Sequence, residues 1–137
     1  MTSTPSSNGP GGPPARHTAP REDEVLDAIT LQGLRELGGE DDPGLFAELI
    51  DLFLEDAPLR MEELRRGLDK RDMPLLERAA HTLKSSSANI GALSMSCICK
   101  RIETSVRSQR CEEVASLVEE SRVLWPQVEA ALRAAKS

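Results

Sequence analysis

From Val25 onward, apolar residues return every three or four positions in long stretches, with no convincing run of the two-residue alternation that marks a half-buried strand. The pattern commits the chain to an all-α fold in which each helix must bury one stripe against its neighbours. A short first helix is predicted from near Asp27 or Thr30, either of which could cap it, to Leu37. Gly38-Gly39 end it, and its Ile29, Leu34 and Leu37 are expected across the end of the bundle. Pro43 then opens a long helix to about Lys70, with Phe46, Leu49, Ile50, Phe53, Ala57, Leu64 and Leu68 as its core stripe. Pro58 predicts a kink or break in it near Asp56. Asp72 and Pro74 start the next helix and Gly91 terminates it. Leu93 to about Arg107 follows, with Leu93, Cys97, Ile98, Ile102 and Val106 available for its stripe. The last helix runs from Cys111 to about Ala135 on Val114, Leu117, Val118, Ser121, Leu124, Val128, Ala131, Leu132 and Ala135, and Pro126 predicts a kink after Arg122. Four helices of about 14 to 28 residues with short turns bury every stripe most simply as an antiparallel up-down-up-down four-helix bundle, with the short additional helix at its N-terminus.

Residues 1–24 hold most of the prolines and many of the glycines, as in Gly9-Pro10-Gly11-Gly12-Pro13-Pro14, and almost no apolar side chains. That composition predicts a disordered tail ahead of a single domain at residues 25–137, and His17 within it has no partner pattern. A net charge of -6, with two Phe, one Trp and no Tyr, argues against nucleic acid as a partner. No apolar run reaches the roughly 18 residues that span a bilayer, and the N-terminus lacks a signal peptide's apolar core, so a cytoplasmic protein with no membrane partner is expected. Cys97, Cys99 and Cys111 lack metal-ligand spacing, and the first two point about 200° apart on a helix, so reduced, partly buried thiols are expected and no metal site.

His81 stands apart from this packing pattern. At about 100° per residue, Leu76, Ala79, Leu83 and Ile90, with small Ala80 and Ser87, fall within roughly 100° of arc, and His81 lies about 150° from its centre. Arg78, Ser85 and Ala88 share its side, and Lys84 follows three residues on, within side-chain reach. An accessible imidazole is a good nitrogen nucleophile, and a phosphorylated ring nitrogen remains reactive enough to pass the group onward. Lys84 would place a positive charge near the developing phosphoryl oxygens, and Ser85 is small enough to leave the approach open. Spacing alone does not separate this from an ordinary surface histidine near a lysine. Leu45, Leu52 and Leu59, at seven-residue steps off the core stripe, either pack on the first helix or form an exposed docking surface.

The run Ala80-His81-Thr82-Leu83-Lys84-Ser85-Ser86-Ser87-Ala88-Asn89-Ile90-Gly91-Ala92 resembles the signature of histidine-containing phosphotransfer (HPt) domains, approximately A-H-x-L-K-G-S-(A/S)-x-x-(L/I/V)-G-A. Upstream, Phe46 to Leu54 and Pro58 are similar to the family's long second helix, and downstream Leu93, Cys97, Ile102 and Glu103 resemble its L-x-x-x-C-x-x-(L/I)-E rhythm, with four rather than two residues between Cys97 and Ile102. The likeness covers about residues 27–135, and within the central run there is one departure: Ser85 stands where the family commonly has glycine. The resemblance implies that His81 accepts the phosphoryl group at Nε2, that Lys84 steadies it and that Glu103 holds the other ring nitrogen. Without that role, Glu103 reads as an exposed acid pairing with Lys100 or Arg107.

The expected function is therefore a phosphorelay intermediate, taking a phosphoryl group from an aspartyl phosphate on one receiver domain and giving it to an aspartate on another. Its partners would be response-regulator receiver domains and a (hybrid) sensor histidine kinase. Mg²⁺ is expected in the partner receiver domain, with no cofactor bound by this chain. With no Gly-rich ATP-binding loop, the chain is expected to be a phosphoryl carrier rather than an enzyme with its own kinase activity. The alternative is a docking or sequestering module for a receiver or kinase that carries no phosphate. Met1, the tail and the lack of an attached kinase domain favour a separate protein; the choice between monomer and dimer stays open in the sequence, with a monomer slightly favoured.

Overall fold

The computed structural model describes residues 24–136, so the expectations for residues 1–23, His17 included, lie outside the described part. Five helices follow one another: α1 (Ala28–Gly38), α2 (Leu45–Lys70), α3 (Met73–Asn89), α4 (Leu93–Arg107) and α5 (Cys111–Lys136), with no strand among the described residues. Each of the four long helices packs on the one before and after it, and α2 closes the square against α5, while α1 lies on α2. The all-α four-helix bundle with a short additional helix is thus the observed fold.

Side-chain caps set two of the starts. Asp27 accepts hydrogen bonds from the backbone N–H groups of Ile29 and Thr30, both at 3.3 Å, and Asp72 accepts one from that of Leu75 at 3.1 Å. These satisfy donors that the first helical turn leaves without partners. The ends of α2, α3 and α4 share one device, a residue in left-handed conformation flanked by paired backbone hydrogen bonds. At Arg71 (φ 53°) the bonds run from Asp72 N–H to Gly67 at 2.8 Å and from Arg71 N–H to Leu68 at 3.3 Å. At Gly91 (φ 84°) they run from Ala92 to Ser87 and from Gly91 to Ala88, and at Gln109 (φ 59°) from Arg110 to Ser105 and from Gln109 to Val106. Each turn reverses the chain within two or three residues, which forces adjacent helices to be antiparallel.

Gly91 is needed for a second reason. A Cβ there would meet Thr30 Cβ at 3.3 Å and the Asp27 carbonyl oxygen at 3.4 Å, because the segment before α1 lies across this turn. Asp27 N–H donates to the Gly91 carbonyl at 2.7 Å, and both the N–H and the hydroxyl of Ser94 donate to the Glu24 carbonyl at 2.8 and 2.7 Å.

The core is aliphatic. Ile50, Leu64, Leu76, Leu83, Met95, Ile102, Leu117 and Leu132 are fully buried, each such side chain stabilising the fold by about 1.5–3 kcal/mol. Several expectations need correction. In α1 the buried residue is Leu31, with Leu34 half-buried, whereas Ile29 and Leu37 are exposed: a single-turn-wide contact with α2 accommodates one side of α1 only. α2 begins at Leu45 rather than Pro43, because Asp42 and Leu45 still close turns onto Gly38 and Asp42. It then runs on through Pro58, so no break falls near Asp56, and α5 likewise continues through Pro126, where the proline predicts a kink and not an end. Packing on both sides holds the helix where a lone proline would break it. Leu54 and Gly67 join the buried side of α2, and Gly67 lets α3 approach, since a Cβ there would come 2.9 Å from Leu76 Cγ. In α4 the fully buried line is Met95, Cys99, Ile102 and Val106, while Leu93, Cys97 and Ile98 are only half-buried. The helix is turned toward α3 and α5 by one residue's rotation from the predicted stripe. Cys111 is exposed, not partly buried.

Candidate functional site

The stripe of α3 fits its prediction: Leu76, Ala79, Ala80, Leu83, Ser87 and Ile90 are all buried. His81 is consequently turned out, its side chain 60% exposed, with Arg78, Ser85 and Ala88 exposed around it. Thr82, beside it in the chain, is exposed as well.

What sets His81 apart from a solvated histidine is the group behind it. Glu103 of α4 is 4% exposed, and its Oε2 lies 2.9 Å from His81 Nδ1 while its Oε1 accepts from Lys84 Nζ at 2.8 Å. Arg107, one turn further along α4, donates Nη2–H to the same Oε2 at 2.9 Å and Nε–H to Glu77 Oε2 at 2.6 Å. Glu77 stands one turn before His81 on α3, so these contacts cross between the two helices three times. Ser96 adds a fourth crossing, its hydroxyl donating to the Lys84 carbonyl at 3.0 Å.

Burial is the largest single influence on the Glu103 carboxyl and raises its pKa. The hydrogen bonds from Lys84 and His81, with the charges of Lys84 and Arg107, outweigh it together and hold the group below the usual carboxylate range. An ionised carboxylate only accepts, so the hydrogen between it and His81 sits on Nδ1. In the neutral ring Nε2 is then the nitrogen left without a hydrogen. Lys84 is 29% exposed and keeps donors beyond the one given to Glu103. One turn below Glu103, Cys99 is fully buried, and burial together with the Glu103 charge pushes its thiol up to about 12. It stays protonated and takes no part in nucleophilic chemistry.

The structure therefore brings together His81, Lys84 and Glu103, and leaves Ser85 one turn along, exposed and clear of the imidazole. The reading of Glu103 as an exposed acid is overturned by its burial, although its pairing with Arg107 is present as well. Glu77 was missed; its signal was a carboxylate four residues ahead of His81 on the same side of the helix. Among the described residues, no group of three or more His, Cys, Asp or Glu side chains could hold a metal ion, and no helix is long and apolar enough to cross a membrane.

Beside α3, on the side away from Glu103, an open groove of about 310 Å³ runs between α1, α2 and α3, lined by Leu34, Leu49, Leu52, Phe53, Ser86 and Ile90. The seven-residue leucines divide. Leu45 is half-buried at the end of α1, where a Cβ on Gly38 would come 3.0 Å from Leu45 Cβ, while Leu52 and Leu59 are 62% and 58% exposed.

An antiparallel bundle that turns out the one histidine among the described residues, with a ring nitrogen held by a buried carboxylate, defines a class of protein marked by an exposed and oriented imidazole. Comparison with known proteins gives the class its family. The Hpt domain family matches residues 48–137, and the chain belongs to that family. It is 26% identical over 91 residues to Multistep phosphorelay regulator 1 of Schizosaccharomyces pombe, a match that takes in 65% of this chain and 31% of that protein's length. Among solved structures it is similar to histidine-containing phosphotransfer protein B (HptB) from Pseudomonas aeruginosa PAO1, at 27% identity and a TM-score of 0.76 over 83% of this chain and 96% of that one. A candidate histidine-containing phosphotransfer protein from rice shares the fold, with a TM-score of 0.71 at 21% identity over 87% of this chain and 86% of that one.

Proposed function

We propose that this member of the Hpt family is a phosphorelay intermediate in two-component signalling that carries its phosphoryl group on His81. The observation that supports this is the pairing of an exposed imidazole with a buried, ionised carboxylate at Nδ1, 2.9 Å away. In the step we envisage, Nε2 attacks the phosphorus of an aspartyl phosphate on a receiver domain. The P–O bond breaks with its electron pair leaving on the receiver's aspartate. The ring keeps its Nδ1–H and becomes cationic, and the Glu103 carboxylate offsets that charge. Reversal onto a second receiver's aspartate completes the relay.

Lys84, Arg107, Glu103 and Glu77 together carry no net charge, so the incoming phosphoryl oxygens are offset by the new imidazolium and by the spare donors of Lys84. Ser85 leaves the approach open. Mg²⁺ is supplied by the receiver, and the chain itself has no kinase activity on this reading. Receiver domains and a hybrid sensor kinase are its partners, meeting it in the cytoplasm, and Leu52, Leu59 and the groove beside α3 offer them an apolar seat.

Incubation with a phosphorylated receiver, but not with ATP alone, is expected to label His81 with an acid-labile, alkali-stable phosphate. Undiminished labelling of His81→Gln would refute the assignment. Receiver binding without any label would favour docking alone.

A further inference from the structure

The outer side of α2 carries a pattern whose acidic half has no part in the transfer site or its apolar seat. Leu45, Leu52 and Leu59 recur every seven residues, and Glu48, Glu55 and Glu62 recur at the same interval three positions behind them. At about 100° per residue the six form one line, roughly opposite the buried Ile50, Ala57 and Leu64. From Leu45 to Glu62 it runs about 26 Å at the helical rise, and Arg66 on the same line ends its acidic part. All three glutamates are exposed, and among the described residues none is within ion-pair distance of a cation, whereas Asp51 and Asp56 nearby are held by Lys136 and Arg60.

We propose that this line is a charge-selective docking edge, which admits receivers whose contacting helix carries apolar side chains framed by Lys or Arg; the partner class rests on the relay reading of His81. Exposed Leu52 and Leu59 alone would accept any apolar surface. Three unpaired carboxylates interleaved with them change that, because a neutral partner would desolvate each carboxylate without replacing its water, and an acidic partner would repel it. A second copy of this chain is a poor occupant for the same reason. Parallel lines would face Glu against Glu, and antiparallel ones would set Leu against Glu. An anionic lipid surface meets the same repulsion.

The test compares the wild-type chain with a Glu48→Lys/Glu55→Lys/Glu62→Lys variant, after circular dichroism has established equal helix content. Receiver domains with basic and with acidic docking helices are phosphorylated with acetyl phosphate and Mg²⁺, and transfer is followed against receiver concentration at two salt concentrations. For basic receivers the variant is expected to raise KM about tenfold with kcat within about twofold, and wild-type KM is expected to rise with salt. Acidic receivers are expected to improve. Unchanged KM for the basic receivers would overturn the proposal, as would a wild-type dimer in sedimentation that Leu52→Ala/Leu59→Ala dissolves. The same receivers are titrated calorimetrically against both proteins. A chain that binds them charge-selectively but never gains label on His81 refutes the relay reading and leaves the docking edge standing.

Discussion

Replacing Glu103 separates orientation of the imidazole from simple stability. The carboxylate accepts from three cationic or ring donors at 2.8 to 2.9 Å and is almost fully buried, while His81 and Arg107 are largely exposed and Lys84 is 29% exposed. Breaking a fully buried pair costs about 3–5 kcal/mol, but here the abandoned partners can rehydrate, so Glu103→Ala is expected to cost about 2 kcal/mol. Glu103→Gln should cost about 1 kcal/mol. Its carbonyl can take the place of Oε2 and keep both His81 and Arg107, whereas its NH₂ would then confront the Lys84 ammonium and release it. Urea unfolding measures both values. The ring itself reports through long-range ¹H–¹⁵N NMR correlations, in which wild type and Glu103→Gln should show Nδ1 protonated and Nε2 bare. Glu103→Ala should shift the tautomer toward Nε2–H and slow transfer from a phosphorylated receiver roughly 10- to 100-fold. If Glu103→Ala keeps both the wild-type tautomer and the wild-type rate, the carboxylate does not position the ring and the reasoning fails.

Lys84→Ala is expected to slow phosphoryl transfer about tenfold, the scale of one lost charge contact, with helix content unchanged by circular dichroism; an unaltered rate would discard its charge role. Gly67→Ala should destabilise by about 1–3 kcal/mol because its Cβ would press on Leu76, whereas Gly33→Ala, with nothing within 4 Å, should stabilise by up to about 1 kcal/mol, both read from urea midpoints. Because the Glu103 carboxyl is held below its ordinary value, its stabilisation is fully present above about pH 4.3 and is lost as pH falls through the folded pKa. The stability gap between wild type and Glu103→Gln should therefore narrow in acid, and a gap constant from pH 6 to pH 2 would contradict the ion-pair account.

How much of this was legible in the sequence depends on the kind of signal each residue carries. Asp27, Asp72 and Gly91 are local devices whose effect is complete within a turn, and their positions could be read directly. The exposure of His81 followed from α3 because the stripe of that helix has large aliphatic residues on one side only. α4 offered no such contrast: Leu93, Met95, Cys97, Ile98 and Cys99 are all apolar and spread around the helix, so only contact with α3 and α5 selects Met95–Cys99–Ile102–Val106. In α1, Ile29, Leu31, Leu34 and Leu37 are all apolar, and the choice of Leu31 belongs to the contact with α2. Arg71 and Gln109 close their helices in left-handed conformation without being glycine, so no residue type announced them. Burial of Glu103 was the least legible, since glutamate is ordinarily solvated; His81 and Lys84, 22 and 19 residues earlier, supply what keeps it inside.

The hydrogen bonds that tie Glu24 and Asp27 to Ser94 and Gly91 bear on where this domain can be cut. The family match begins at residue 48, yet the turn that ends the His81 helix has its carbonyl capped, and its only glycine covered, by residues 24–30. A fragment begun at the family boundary would lose α1 and uncover both Gly91 and the groove beside α3. The smallest unit that preserves the His81 helix as described starts at or before Glu24, and fragments trimmed to residue 48 would be poor standards for testing the proposed transfer.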